Sequence, residues 1–193
     1  MSIPKSEIEI TANRLLNLQQ TQLTPMTLSD IHGYIFDGLY PWAGQMRETD
    51  LWKGRDFCPN KYLNEMMSGH MHYMSSNIRK SCDSYCFFEI LAKDYARLNW
   101  LHPFPEGNGR AQREWLRQQL LQCGYVLDLH PTRYEDMLNA SNEGCNKNYE
   151  PLIRIFSRCI FRLPQPETYY QKLPYIAILS CDDIELGIQE RYC

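Results

Sequence analysis

A histidine, a carboxylate, two glycines flanking an asparagine, and two arginines fall within one stretch, HPFPEGNGRAQR, from position 102 to 113. Apolar helical sequence, FFEILAKDYARLNWL, precedes it, and EWLRQQLLQ follows. A glycine-rich loop that opens a helix presents unpaired backbone N–H groups, and the helix dipole adds partial positive charge there. Gly107 and Gly109 let the backbone approach an anion closely. Arg110 and Arg113 can add charge-assisted bonds to phosphate oxygens. Glu106 is the odd member, because a carboxylate beside phosphate repels it. A divalent cation between them removes the conflict, and Mg²⁺ takes one or two carboxylates plus phosphate oxygens. His102, with an ordinary pKa near ~6.5, can accept a proton from an attacking hydroxyl. Singly, each residue is more often a turn former or a solvated charge. Together they describe transfer of a phosphate-linked group from a nucleotide to a hydroxyl.

The elements that must hold this loop read as helices. Residues 6–20 form an amphipathic pattern with Ile8, Leu15 and Leu18, ended at Thr24-Pro25. A second helix starts near Thr27 or Ser29, runs through Ile31, Ile35, Phe36 and Leu39, and stops at Pro41. Short β-suited pieces on either side of Lys53-Gly54-Arg55 predict a β-hairpin whose edge could pair with a bound peptide. Pro59-Asn60 opens a third helix, with Tyr62, Leu63, Met66, Met67, Met71 and Met74 expected inside and a polar connection from 77 to 84. His70 and His72, two apart on it, point to different faces and make no metal pair. The apolar helix from about 85 to 101 is predicted to be central. After the loop, a helix starting near Arg110 ends at Cys123-Gly124, with Gly124 as its cap. Thr132 is read as capping another helix, and Glu150-Pro151 starts the last, running to about Phe161.

At 193 residues the chain suits one domain with a core of its own. A net charge of -3 and a pI near 6.0 give no global basic field, so nucleic acid is not expected as a direct partner. The eight cysteines, at 58, 82, 86, 123, 145, 159, 181 and 193, form no CxxC pair, which argues against zinc. MSIPKSEIEITANRLL has no apolar signal core and no run reaches membrane-span length. The expectation is a cytoplasmic protein with free thiols and no membrane association.

HPFPEGNGRAQR resembles the signature of Fic-domain proteins, HxFx(D/E)GNGRxxR, at every specified position. Upstream, DIHGYIFDGLYPWAGQMRETDLWKGRDFC resembles the family's helix, its YxWAGxxR element and its flap hairpin; downstream, GYVLDL and the later helices also fit. The resemblance covers roughly residues 27–162, closest to the bacterial cell-filamentation type, and implies an all-α helical bundle with a small β-hairpin flap beside the active-site loop. It divides the chain into a Fic domain with its N-terminal helix, residues 1–162, and an extension of unknown role, 163–193.

The resemblance also implies an activity, AMP transfer from ATP to a protein Ser, Thr or Tyr hydroxyl with Mg²⁺. In those terms His102 is the general base, Phe104 anchors the loop, and Glu106 holds Mg²⁺. Gly107, Asn108 and Gly109 form the anion hole, Arg110 meets the β-phosphate and Arg113 the γ-phosphate. Leu51, Trp52, Lys53, Gly54, Arg55, Asp56 and Phe57 form the flap that clamps the target segment. Two alternatives stay open: the same fold using another donor, such as UTP or a phosphocholine nucleotide, and a binding module without turnover. His102 and Glu106 argue against the module, since binding alone needs neither a base nor a metal ligand. Many family members are silenced by a helix bearing [S/T]xxxE[G/N], whose Glu blocks the second motif arginine. No Ser or Thr here has Glu four residues on. The resemblance therefore implies a toxin restrained in trans by a small antitoxin, or no such restraint. By analogy with relatives, DNA gyrase and topoisomerase IV are the first candidate targets.

Overall fold

The helix that leads into the loop lies at the centre of the molecule. A computed structural model describes residues 5–22 and 24–162. In it α4, Phe87–Leu101, buries Phe87, Leu91, Tyr95, Leu98 and Leu101 along one stripe and Ala92 and Ala96 beyond it, so its buried face is wider than a single amphipathic stripe. It packs against α3 (Asn60–Ser81), α5 (Asn108–Leu121), α6 (Tyr134–Cys145) and α7 (Glu150–Cys159). On the far side, α2 (Leu28–Phe36) lies on α5, and α1 (Lys5–Thr21) covers α2. The predicted helical architecture is what the described residues adopt.

Local chemistry explains most of the boundaries. The Thr27 hydroxyl accepts the Asp30 N–H at 3.1 Å and opens α2, which ends at Phe36, before Leu39. α3 does not stop at 77, as its polar composition suggested. It runs to Ser81, because Met74 and Ile78 continue the buried face and the Ser81 hydroxyl folds back to the Asn77 carbonyl at 2.7 Å. Thr132 does not cap α6; its hydroxyl meets Cys159 Sγ at 3.2 Å, and Arg133 holds the N-cap position. Gly124 lies just beyond α5 with a left-handed φ of 76°, where glycine carries no steric cost. α7 ends at Cys159 rather than near Phe161. The next residues are β2 (Ile160–Arg162), antiparallel to β1 (Tyr125–Leu127) with Val126 opposite Phe161.

α5 is unusual in burying polar residues along much of its length. Glu114 and Arg117 are essentially inaccessible, joined at 2.7 Å, and Gln118 donates to the same carboxylate at 2.6 Å. A buried ion pair survives only when its remaining valences are satisfied in this way. Gln118 Oε1 also accepts the Met26 N–H at 2.8 Å, tying α5 to the start of α2. The helix that carries the second half of the motif is thereby held from several sides.

The flap is a turn rather than a ladder. Trp52 and Asp56 form one antiparallel bridge around Gly54, whose φ is 71°, and the Lys53 N–H donates to the Arg55 carbonyl at 3.3 Å. Cys58, Cys82, Cys86, Cys123, Cys145 and Cys159 are free thiols. Among the described residues no helix is long and apolar enough to cross a membrane. The segment 163–193, with Cys181 and Cys193, lies outside the described residues.

Candidate active site

His102 sits where α4 stops. Its backbone is left-handed, φ 46° and ψ 63°, and its N–H still donates to the Leu98 carbonyl at 3.2 Å. A non-glycine residue in this region is strained and persists only where its surroundings hold it. They do so here. Arg47 Nε donates to the His102 carbonyl at 2.9 Å, and the Phe57 ring lies 4.1 Å from the imidazole centroid. Nδ1 lies 3.1 Å from the Asn99 carbonyl, which can only accept, so Nδ1 carries the proton and Nε2 keeps its lone pair. Burial, reinforced by the nearby Lys53 ammonium, lowers the pKa to about 4. The ring is neutral at physiological pH, the state a general base requires.

The loop behind it is built as a rigid arch. Phe104 is buried and stacks 3.8 Å from His32. His32 Nδ1 accepts the Gly44 N–H at 2.9 Å, which puts its proton on Nε2, and that donates to the Glu106 carbonyl at 3.0 Å. Asn108 closes the arch from the other end: Oδ1 accepts the Phe104 N–H at 2.9 Å and Nδ2 donates to the Phe104 carbonyl at 2.6 Å. Its amide is committed to the loop, so what Asn108 offers a ligand is its backbone N–H at the start of α5. Gly107 has φ 80°, and a Cβ there would stand 2.3 Å from the Phe36 ring. Only glycine fits.

The charged residues divide into two groups. Glu106 is half exposed; burial opposes its ionisation, but the Lys53 ammonium, the Gly107 N–H and Arg110 together hold its pKa below the ordinary value. Arg113 lines the cavity beside Gly109, and among the described residues no carboxylate pairs with it. Arg110 differs from its expected placement. Its guanidinium turns to α1, meeting Glu7 at 2.9 Å and the Thr11 hydroxyl at 3.0 Å, and lies over the Phe36 ring. It is not among the residues that line the cavity.

That cavity has a volume of about 450 Å³ and joins the predicted residues. His102, Glu106, Asn108, Gly109 and Arg113 form one wall, and Lys53, Arg55 and Phe57 of the flap form another. The third wall was not anticipated. Tyr134, Leu138 and Asn142 of α6 face it, as do Tyr95 and Asn99 of α4. Both sets repeat at four-residue spacing, which places each on one helix face, and Asn99 lies one turn before His102. That spacing was the available signal. Arg47 was legible only as the last letter of YxWAGxxR, and nothing in the sequence gives it its role.

The residues present fit a cation of one kind. No group of three or more His, Cys, Asp or Glu side chains converges among the described residues, so a protein-enclosed metal does not fit. Glu106 Oε2 already has the Lys53 ammonium against it at 2.8 Å, which marks a position where positive charge is favoured. This suits Mg²⁺ taking one carboxylate and completing its shell with phosphate oxygens and water.

Comparison with known proteins bears on the family and the fold. A family model described as the Fic/DOC family matches residues 22–120. The chain is 28% identical over 172 residues to a probable protein adenylyltransferase Fic of Escherichia coli K12, covering 86% of this chain and 84% of that protein. The counterpart in Salmonella typhimurium is similar to the same extent, 28% over 172 residues, with the same coverage. Among solved structures, a Bartonella tribocorum BepC protein with bound AMPPNP shares the fold, with a TM-score of 0.71 at 19% identity over 82% of this chain and 86% of that one.

Proposed function

The chain belongs to the Fic/DOC family, and from that footing we propose that it is a protein adenylyltransferase, moving AMP from ATP to a Ser, Thr or Tyr hydroxyl of a target protein. One observation carries this reading: the unprotonated Nε2 of His102 belongs to a residue that lines the same cavity as Glu106, the first turn of α5 and Arg113. A base, a cation ligand and an anion-binding helix end are the parts that nucleotidyl transfer to a hydroxyl needs.

The residues divide the work as follows. The N–H groups of Asn108, Gly109 and Arg110, unpaired within the helix, and the guanidinium of Arg113 hold phosphate oxygens. Mg²⁺ held by Glu106 Oε2 would supply the charge that lets a carboxylate tolerate the phosphates. The flap presents the target segment, and His102 Nε2 takes the proton of its hydroxyl. The hydroxyl oxygen forms a bond to the α-phosphorus, the α–β anhydride breaks, and pyrophosphate leaves. Most of the acceleration then comes from orientation and from donors fixed in advance. His102 is held for this by Asn99 and Arg47, so its lone pair needs no reorganisation.

Restraint in trans by a small antitoxin is part of the same proposal. What supports it is Arg113, which pairs with no carboxylate among the described residues and stands open to a glutamate from a partner helix. The activity is tested by mass spectrometry of lysate proteins after incubation with the enzyme, ATP and Mg²⁺. A peptide carrying AMP on a hydroxyl side chain supports the proposal; a different adduct, or none, overturns it.

A further inference from the structure

Glu106 sends its two carboxylate oxygens in different directions. Oε1 accepts the Gly107 N–H at 3.1 Å, which fixes the plane of the group, and Oε2 meets the Lys53 ammonium at 2.8 Å. Oε2 is therefore the oxygen left for a cation, and an ammonium stands on it. Lys53 comes from the flap. Two residues further on, Arg55 reaches α6, donating to the Asn142 carbonyl at 3.1 Å and to the Asn142 and Asn146 side-chain oxygens at 3.4 Å. The flap is thus fastened to the catalytic loop on one side and to α6 on the other, with the cavity between.

We propose that Lys53 is a built-in competitor for the divalent cation at Glu106, so that loading the cation with nucleotide expels Lys53 and unfastens that side of the flap. This rests on the reading of Glu106 as the cation holder. Two cations do not share one carboxylate oxygen at contact distance without strong mutual repulsion. The divalent ion, with phosphate oxygens as further ligands, is the one that wins. The lysine side chains and the carboxylate are 38% and 46% exposed, so the pair is weak enough to be displaced without loss of the fold. Before the cation arrives, the ammonium neutralises Glu106 and favours entry of the phosphates. Afterwards Lys53 is released together with the inner edge of the flap, the edge offered to the target. Flap availability is in this way coupled to the loaded state.

Calorimetric titration with α,β-methylene ATP, which cannot transfer AMP, tests this with and without Mg²⁺. Lys53→Met should tighten binding in the presence of Mg²⁺ by about two- to fivefold, the range an exposed ion pair can contribute. It should weaken binding in the absence of metal, and Lys53→Arg should restore behaviour close to that of the unsubstituted protein. In the unsubstituted protein, binding that Mg²⁺ does not strengthen, or strengthening that survives Glu106→Gln, overturns the reading of Glu106 and the proposal with it. Strengthening that depends on Glu106 but is not increased by Lys53→Met overturns the proposal alone.

Discussion

The guanidinium of Arg47 donates to the carbonyl of His102 at 2.9 Å, and this bond holds the strained residue that ends α4. The same side chain donates to the carbonyls of Thr49 at 2.7 Å, Leu101 at 3.3 Å and Cys58. Its own N–H donates to the Pro103 carbonyl at 2.8 Å. One buried residue therefore joins the base of the flap, the end of α4 and the first residues of the loop.

Arg47→Ala should leave those carbonyls unmet and cost on the order of 3 kcal/mol, read as the shift in a urea unfolding midpoint at constant slope. Arg47→Lys should recover only part, because an ammonium cannot reach three directions in the plane of a guanidinium. A loss within the error of the measurement for Arg47→Ala would contradict the bridging role.

The lowered pKa of His102 predicts where activity fails in acid. With the pKa near 4, Nε2 is free to accept a proton at pH values well below the ordinary imidazole range. The acid limb of kcat/KM should fall near pH ~4–5, measured with a peptide or protein acceptor across a pH series. A limb at ~6.5, the unperturbed value, would mean that the ring is not buried in the working enzyme.

Stability follows the same sign. His32, His70 and His102 are each held near 4 in the fold, mainly by burial, against ~6.5 in the unfolded chain. Below ~6.5 the unfolded chain takes up protons that the fold refuses. Their contribution is therefore complete above ~6.5 and is lost as pH falls toward 4. The urea midpoint should drop between pH 7 and pH ~5, and His102→Gln should make that drop shallower.

Much of the site was legible because its chemistry is local. A base, a carboxylate and an anion-binding turn packed into HPFPEGNGRAQR announce themselves by residue type, and the helices on either side by apolar pattern. What escaped depends on residues distant in sequence. β1 and β2 are three residues each and pair across two intervening helices, so neither carries a period of its own. Residues 77–81 read as polar, yet packing of Ile78 keeps them helical. The engagement of Lys53 with Glu106 and of Arg110 with Glu7 joins residues 53 and 103 positions apart, and no spacing rule reaches that far.

That last pair makes a prediction about α1. Glu7 is buried, receives Arg110 at 2.9 Å and accepts the Tyr40 hydroxyl at 2.8 Å. Glu7→Gln leaves a nearly buried guanidinium without its counter-charge, and should cost roughly 3 kcal/mol in urea unfolding. Adding Arg110→Met should return part of that loss. Equal stability of Glu7→Gln and the unsubstituted protein would show that α1 is not held through this pair.

Gly107→Ala probes the arch directly. The added methyl meets the Phe36 ring at 2.3 Å and the backbone must keep a left-handed φ of 80°, so the loop has to shift. AMP transfer should fall by at least about a hundredfold, as a 1 Å misplacement can cause, while the far-ultraviolet circular dichroism stays helical. Activity within a few-fold of normal would show that the loop tolerates movement.

The proposed transfer of AMP to proteins runs through His102. The direct measurement incubates the purified protein with α-labelled ATP, Mg²⁺ and a cell lysate, beside His102→Ala of matched circular dichroism. Labelled protein bands are expected with the unsubstituted protein and none with His102→Ala. Labelling that persists in His102→Ala, or no labelling by either protein, would contradict the proposal.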